Sequence, residues 1–320
     1  MIRDFFERER LAGRPMVAAF IISTEGSTYR KPGAYMLFSS SGERHGLLSG
    51  GCLEGDLQEH ALQLLGSGSR CRVKHYDSRG SDDPIWGLGL GCEGAMQILL
   101  LRIDASNGFQ PLAGLFEASD KRVAAAFATD IETGSVTPSA SACTELSGKI
   151  FTVAAESTLH VLICGAGPDA EPVATFSRWL GWRVTVVDHR SAYVDPQRFD
   201  PKVELRHCDL SDFATSVTLS QIDAAIVMSH HLTADAEYLS ALSGSDIPYV
   251  GLLGPAARRE RLFSMLGARA EILRSRLRAP IGLDLGGRTP EAIALAIVAE
   301  IQAVTNDRSG ASFSSVLDRR

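Results

Sequence analysis

From Leu159 onward, short apolar runs alternate with amphipathic stretches: LHVLICG, PVATFSRWLG and WRVTVVD, later AAIVMS, a helical stretch from about Thr233, YVGLLG and another helix. No other feature constrains the fold as much, because strands interleaved with helices are the pattern of a doubly wound parallel sheet. Its first turn, Gly165-Ala166-Gly167-Pro168-Asp169-Ala170, reads G-x-G-x-x-A, and Asp188 ends the next strand. Gly165 permits the tight turn, Gly167 lets the backbone approach a pyrophosphate, Pro168 suits the first helical position, and Asp188 is placed to bond a ribose hydroxyl. Strand, glycine turn, helix and terminal acid together predict a Rossmann-like domain over 158–320. Whether a dinucleotide such as NAD(P) occupies it stays open, because the same topology hosts other ligands or none.

Before about Glu156 the rhythm differs. Strand-like runs at MVAAFIIS, AYMLFS, RCRVKHY and AMQILLLRI, joined by Gly-rich turns and at least two helices, predict a mixed α/β domain over 1–157. RVAAAFAT and KIFTVAAE read as two further strands on either side of 130–149, a Ser, Thr and Gly-rich stretch that reads as an exposed loop or hairpin connection. Within this half, LLSGGCLEGDLQEHA places Ser49, Gly50, Gly51 and Cys52 just before a helix whose apolar face is Leu53, Leu57, Ala61, Leu64 and Leu65. A helix start has free amides and a positive dipole end, and two glycines let a ligand come close, so the stretch can seat an anion. The same field lowers a thiol pKa. Cys52 is therefore either a functional thiol or a small buried residue in a tight turn.

The other bulk properties mainly exclude. At 320 residues the chain is long enough for two domains, and 45% hydrophobic with 22% charged residues is a soluble globular composition. A net charge of -6 gives no drive toward nucleic acid or an anionic membrane. The N-terminal MIRDFFERER is too charged for a signal peptide and no apolar run approaches a membrane span, so the expected location is cytoplasmic. The six cysteines contain no Cys-x-x-Cys pair, which indicates neither a zinc cluster nor a disulfide framework.

Four segments together resemble the XdhC/CoxI family, accessory factors that mature molybdenum hydroxylases such as xanthine dehydrogenase. They are GSTYRKPGAYMLF with GLLSGGCLEGDL, then WGLGLGCEG, then LICGAGPDAEPVATFSRWLGWRVTVVDHR, and finally YVGLLGPAARRERL running on to APIGLDLGGRTPEAIALAIVAEI. The resemblance implies a chaperone that binds molybdenum cofactor (molybdopterin), protects it during sulfuration and inserts it into a xanthine dehydrogenase-type hydroxylase. It implies a cysteine desulfurase as sulfur donor, is compatible with a homodimer, and makes no turnover chemistry necessary. The alternative is an NAD(P)-dependent oxidoreductase using the Gly165 turn and Asp188.

A host for this cofactor needs an anion seat, a wall for the pterin and a soft sulfur ligand, and Ser49 to Cys52 could supply the first and last, with Cys52 toward the metal. Arg30 and Lys31 precede Pro32-Gly33 and read as a turn presenting two cations, or as a solvated turn. The family usually has proline at Tyr29 and arginine at Tyr35, so a cationic contact at 35 is lost. Cys92 is a second soft ligand or part of a tight loop, with Glu93 where glycine is more usual. His230, at a strand C-terminal end, reads as a ligand contact or a polar loop residue. Among seven arginines between Pro255 and Ala279, Arg258 is a candidate phosphate or partner contact.

Overall fold

The computed structural model describes residues 2–51, 53–77, 94–141, 143–312 and 314. They form two compact units, Met1–Ser157 and Thr158–Arg320.

The first unit is organised by β1 (Met16–Gly26), whose residues from Met16 to Ile22 are all buried. Alternate side chains serve two cores. Met16, Ala18, Phe20 and Ile22 enter one, while Val17, Ala19 and Ile21 enter the other. That division follows from the two-residue period of a strand with both faces covered. β1 pairs antiparallel with β2 (Tyr35–Ser39) and β5 (Gly94–Ile103), and β3 (Arg44–Gly46) and β4 (Cys71–Asp77) complete the sheet in the order β3-β2-β1-β5-β4. One face is covered by α2 (Glu54–Gly66) through Leu57, Ala61 and Leu64. The other packs on Phe5 and Phe6 of α1 (Ile2–Leu11) and on Leu112 and Leu115 of α3 (Leu112–Lys121). The 130–149 stretch is more ordered than its composition predicts. β6 (Ala126–Asp130), β7 (Val136–Ser139), β8 (Glu145–Ser147) and β9 (Ile150–Ala154) make a small antiparallel sheet in the order β7-β6-β9-β8. Phe151 and Val153 of β9 reach the first core.

The second unit is a parallel sheet of β10 (His160–Cys164), β11 (Arg183–Asp188), β12 (Glu204–His207), β13 (Ala224–Val227), β14 (Tyr249–Leu252) and β15 (Leu277–Arg278), in the order β12-β11-β10-β13-β14-β15. Leu162 and Cys164 of β10 face a core shared with α5 (Phe213–Ser216), α6 (Leu232–Ser243), α7 (Ala256–Leu266) and α8 (Ala268–Leu273). Val161 and Ile163 face the opposite core, built with α4 (Ala170–Trp179) and α9 (Pro290–Thr305). Helices therefore cover both faces, as the alternation predicts. The sheet order reverses between β10 and β13, and in such folds the crevice at that reversal is where ligands sit. Sequence reading missed β12, a partly exposed edge strand of four residues. α9 opens on a cap: the Thr289 hydroxyl accepts from the Ala292 amide and Pro290 takes the first turn.

Candidate functional site

In the first unit, strand register gathers the candidate loops at one end of the main sheet. Phe20 lies opposite Tyr35, Met36 opposite Gly46, Gly26 opposite Gly94 and Ala95 opposite Asp77. The connection 27–34 and the stretch beginning at Leu47 thus leave from the same end, the one at which β4 ends and β5 begins. Arg30 and Lys31 are both exposed there, in a turn held by the Thr28 hydroxyl donating to the Arg30 carbonyl at 3.0 Å. The Tyr35 ring lies against Phe20 at 5.5 Å, and burial, then the Glu156 charge, raises its pKa to about 12. Position 35 is thereby a packing residue. Cys52, expected as a metal ligand, and Cys92 and Glu93 lie outside the described residues.

Ser49 departs from the expected anion seat. Glu54, in the first turn of α2 and 2% exposed, accepts from the Leu48 amide at 3.1 Å, the Ser49 amide at 2.8 Å and the Ser49 hydroxyl at 2.7 Å. The Ser49 hydroxyl in turn accepts from the Leu53 amide at 3.0 Å. The seat at 48–49 is filled by the chain's own carboxylate. Burial opposes ionisation of Glu54, but the bonds from Ser49 and Leu48 outweigh it and hold its pKa below the ordinary value. Gly50 and Gly51 are exposed, and among the described residues no atom beyond their chain neighbours lies within 4 Å of where a Cβ would stand.

In the second unit the glycine turn is also braced from within. A Cβ on Gly165, at φ +120°, would stand 2.6 Å from the backbone of Ser229, so the β10 turn and the loop after β13 touch through their main chains. Gly167 has open space instead. Asp188 corrects the ribose-binding expectation. It is fully buried, and its carboxylate accepts from the Ala166 amide at 2.7 Å, the Arg190 amide at 2.9 Å and the Arg190 guanidinium at 2.8 and 2.9 Å. Burial works against its charge, but these donors outweigh it and hold its pKa low. No carboxylate edge is left for a ribose. Pro168 precedes the helix rather than opening it: α4 begins at Ala170, and Asp169 is its N-cap residue.

Arg258 is corrected as well. Its guanidinium lies 2.6 Å from Asp235, which is fully buried and accepts from the Ser229 hydroxyl at 2.5 Å. The arginine is occupied in holding the loop after β13 and is not a free phosphate contact. His230, by contrast, stands clear. It adopts φ +61°, its side chain is 57% exposed, and its Nε2 meets Asp169 at 3.0 Å. Gly165, Gly167 and His230 are thus brought together at the β10/β13 reversal, with Asp188 and Arg258 as the braces behind them.

The cysteines separate by environment. Cys164 is fully buried beneath the turn, and burial, then the charges of Asp235, Cys208 and Asp188, push its thiol well above the usual value. Burial also raises Cys71 and Cys208. Among the described residues no group of three His, Cys, Asp or Glu could hold a metal ion, and no helix is long and apolar enough to cross a membrane. Sequence reading missed Glu54, Asp169, Arg190 and Asp235. Each stands within five residues of a motif that it did single out, which is the one signal available.

A parallel-sheet unit whose glycine turn is closed by its own acid, joined to a mixed α/β unit with open glycine loops, defines the class. The comparisons then place the chain. Residues 161–301 match the XdhC Rossmann domain and 10–77 match the XdhC and CoxI family. A Bacillus subtilis protein named as a probable xanthine dehydrogenase subunit is 31% identical, spanning 89% of this chain and 92% of that one. The Escherichia coli "Molybdenum cofactor insertion chaperone PaoD" is 23% identical across 92% of this chain and 85% of its own. A crystal structure of a Bacillus halodurans protein described as a xanthine dehydrogenase covers 98% of this chain and 99% of its own, with a TM-score of 0.79 and 30% identity. This chain belongs to the XdhC and CoxI family.

Proposed function

We propose that the chain is a molybdenum cofactor carrier: it holds the cofactor during maturation and hands it to a xanthine dehydrogenase-type hydroxylase. The observation that carries the reading is likeness over nearly the whole chain, within one family, to a protein named as a molybdenum cofactor insertion chaperone. Local chemistry supports it. The cofactor is a pterin with a phosphate and a dithiolene-bound metal. In the first unit, the exposed Arg30 and Lys31 and the open Gly50-Gly51 tip stand at one end of the sheet, cations and unshielded backbone that suit an anionic ligand. In this reading Cys52 and Cys92 are the soft sulfur groups, and a cysteine desulfurase supplies the sulfur that Cys52 shields or relays. The oxidoreductase alternative has no comparable support, since the acid it would need for a ribose is enclosed.

The test is transfer. Purified protein loaded anaerobically with molybdenum cofactor is expected to activate an apo-hydroxylase. Cys52→Ser, which replaces a soft thiol with a hard hydroxyl of similar size, is expected to lower cofactor retention and activation while the fold survives. Wild-type protein that neither retains cofactor nor activates the apo-enzyme would refute the carrier role. Full activity of Cys52→Ser would remove the thiol from it.

A further inference from the structure

We propose, on the basis of the carrier role above, that Asp169 and His230 form a hydrogen-bonding edge that reads the aminopyrimidinone ring shared by pterins and guanine. The pair bridges the two loops that bound the crevice at the β10/β13 reversal, 61 residues apart in sequence. Both loops are fixed before any ligand arrives. The Gly165 turn is held through the Ala166 amide by Asp188, and the Ser229 loop is held by Asp235 with Arg258.

Stability does not account for the pair. A carboxylate-imidazole contact with the histidine 57% exposed adds little to folding. Yet the chain keeps His230, a non-glycine residue, at φ +61°, a conformation that disfavours a side chain. Asp169 occupies the N-cap position of α4, where an aspartate ordinarily accepts from the first helical amides, but its side chain makes no capping bond and turns to His230 instead.

The chemistry selects the ligand. Phosphate is disfavoured, because α4 opens with Asp169 and Glu171; Arg198 answers Glu171 at 2.6 Å, whereas among the described residues Asp169 is met by the imidazole alone. A carboxylate only accepts, so the bond between the two is donated by His230 Nε2. Asp169 Oδ1 has no partner among the described residues, and a carboxylate oxygen can accept more than one hydrogen bond, so the edge offers two neighbouring acceptors. It suits a planar ring with neighbouring N–H donors, which the ring N–H and 2-amino group of a pterin or guanine provide. Gly167, with nothing among the described residues within 4 Å of a Cβ, leaves room beside it.

The full-length protein is titrated with free pterin, followed by the pterin's own fluorescence, and with lumazine, in which the 2-amino donor is replaced by a carbonyl acceptor. Wild type is expected to prefer pterin at least tenfold. Asp169→Asn, which can turn an amide donor toward the ligand, is expected to weaken pterin about tenfold and to reverse the preference toward lumazine. A purely structural role would not produce that reversal. His230→Ala is expected to weaken pterin about fivefold, and His207→Ala to leave it unchanged. Guanosine monophosphate bound more tightly than pterin would support the edge and make its source a guanine nucleotide. Equal binding of pterin and lumazine, or variants that bind pterin as wild type does, would overturn the assignment. If free pterin fails to bind while the intact cofactor is retained, the assignment falls and the carrier role stands; if neither is held, both fall.

Discussion

The two glycine turns solve the same problem with carboxylates from different places. At 48–51 the acid is Glu54, from the helix that follows; at 165–167 it is Asp188, from the neighbouring strand. Each satisfies turn amides that a bound anion would otherwise take, so a Gly-rich turn before a helix is not by itself a vacant anion seat. They differ in what surrounds the acid. Glu54 takes three hydrogen bonds from neutral donors beside an exposed loop tip, while Asp188 is fully enclosed and paired with Arg190, whose guanidinium also lies 3.9 Å from the Tyr193 ring centre. The first turn is exposed at its tip, and the second is a locked joint.

Breaking the locked joint should cost most. Asp188→Ala leaves Arg190 and the Ala166 amide without their acceptor, with an expected loss of about 3–5 kcal/mol in denaturant unfolding. Glu54→Ala should cost less, about 2–3 kcal/mol, because it strands neutral donors and no guanidinium. Equal costs would erase the distinction between the turns.

The glycines sharpen the contrast within one turn. Gly165→Ala forces a Cβ against the Ser229 backbone and should cost about 1–3 kcal/mol, whereas Gly167→Ala meets open space and should stay within about 0.5 kcal/mol of wild type. A thermal melt of each variant decides it.

Acid gives the finest test. Both carboxyls sit below their ordinary pKa in the folded state, so each contributes stability that is present above its unfolded value and lost as pH falls through the folded one. Unfolding free energy should therefore drop below about pH 4, and the drop should be shallower in Glu54→Gln and Asp188→Asn. Unchanged slopes would mean that other groups carry the acid sensitivity.

Much of the fold was legible because buried strands are continuous apolar runs: LHVLICG and MVAAFIIS read directly as the strands that became β10 and β1. The Ser- and Thr-rich strands β7 and β8 were not legible, because partner strands rather than their own pattern order them. Of the candidate site, Gly165, Gly167 and His230 could be singled out by position, since strand ends and glycine turns are local signals. The roles of Asp188 and Arg258 were misread, because an exposed binding group and a buried brace share one sequence signature. What separates them is a partner distant in sequence, such as Asp235 for Arg258, 23 positions away, or the turn amide 22 positions from Asp188.

The carrier role is tested most directly by anaerobic equilibrium binding of intact molybdenum cofactor to the full-length protein, read after oxidation as pterin fluorescence in the protein-bound fraction. Saturable retention at one cofactor per chain or fewer, released when apo-hydroxylase is added and recovered as hydroxylase activity, is the predicted result. Cofactor left wholly in the unbound fraction, with no gain in hydroxylase activity over cofactor alone, would contradict it.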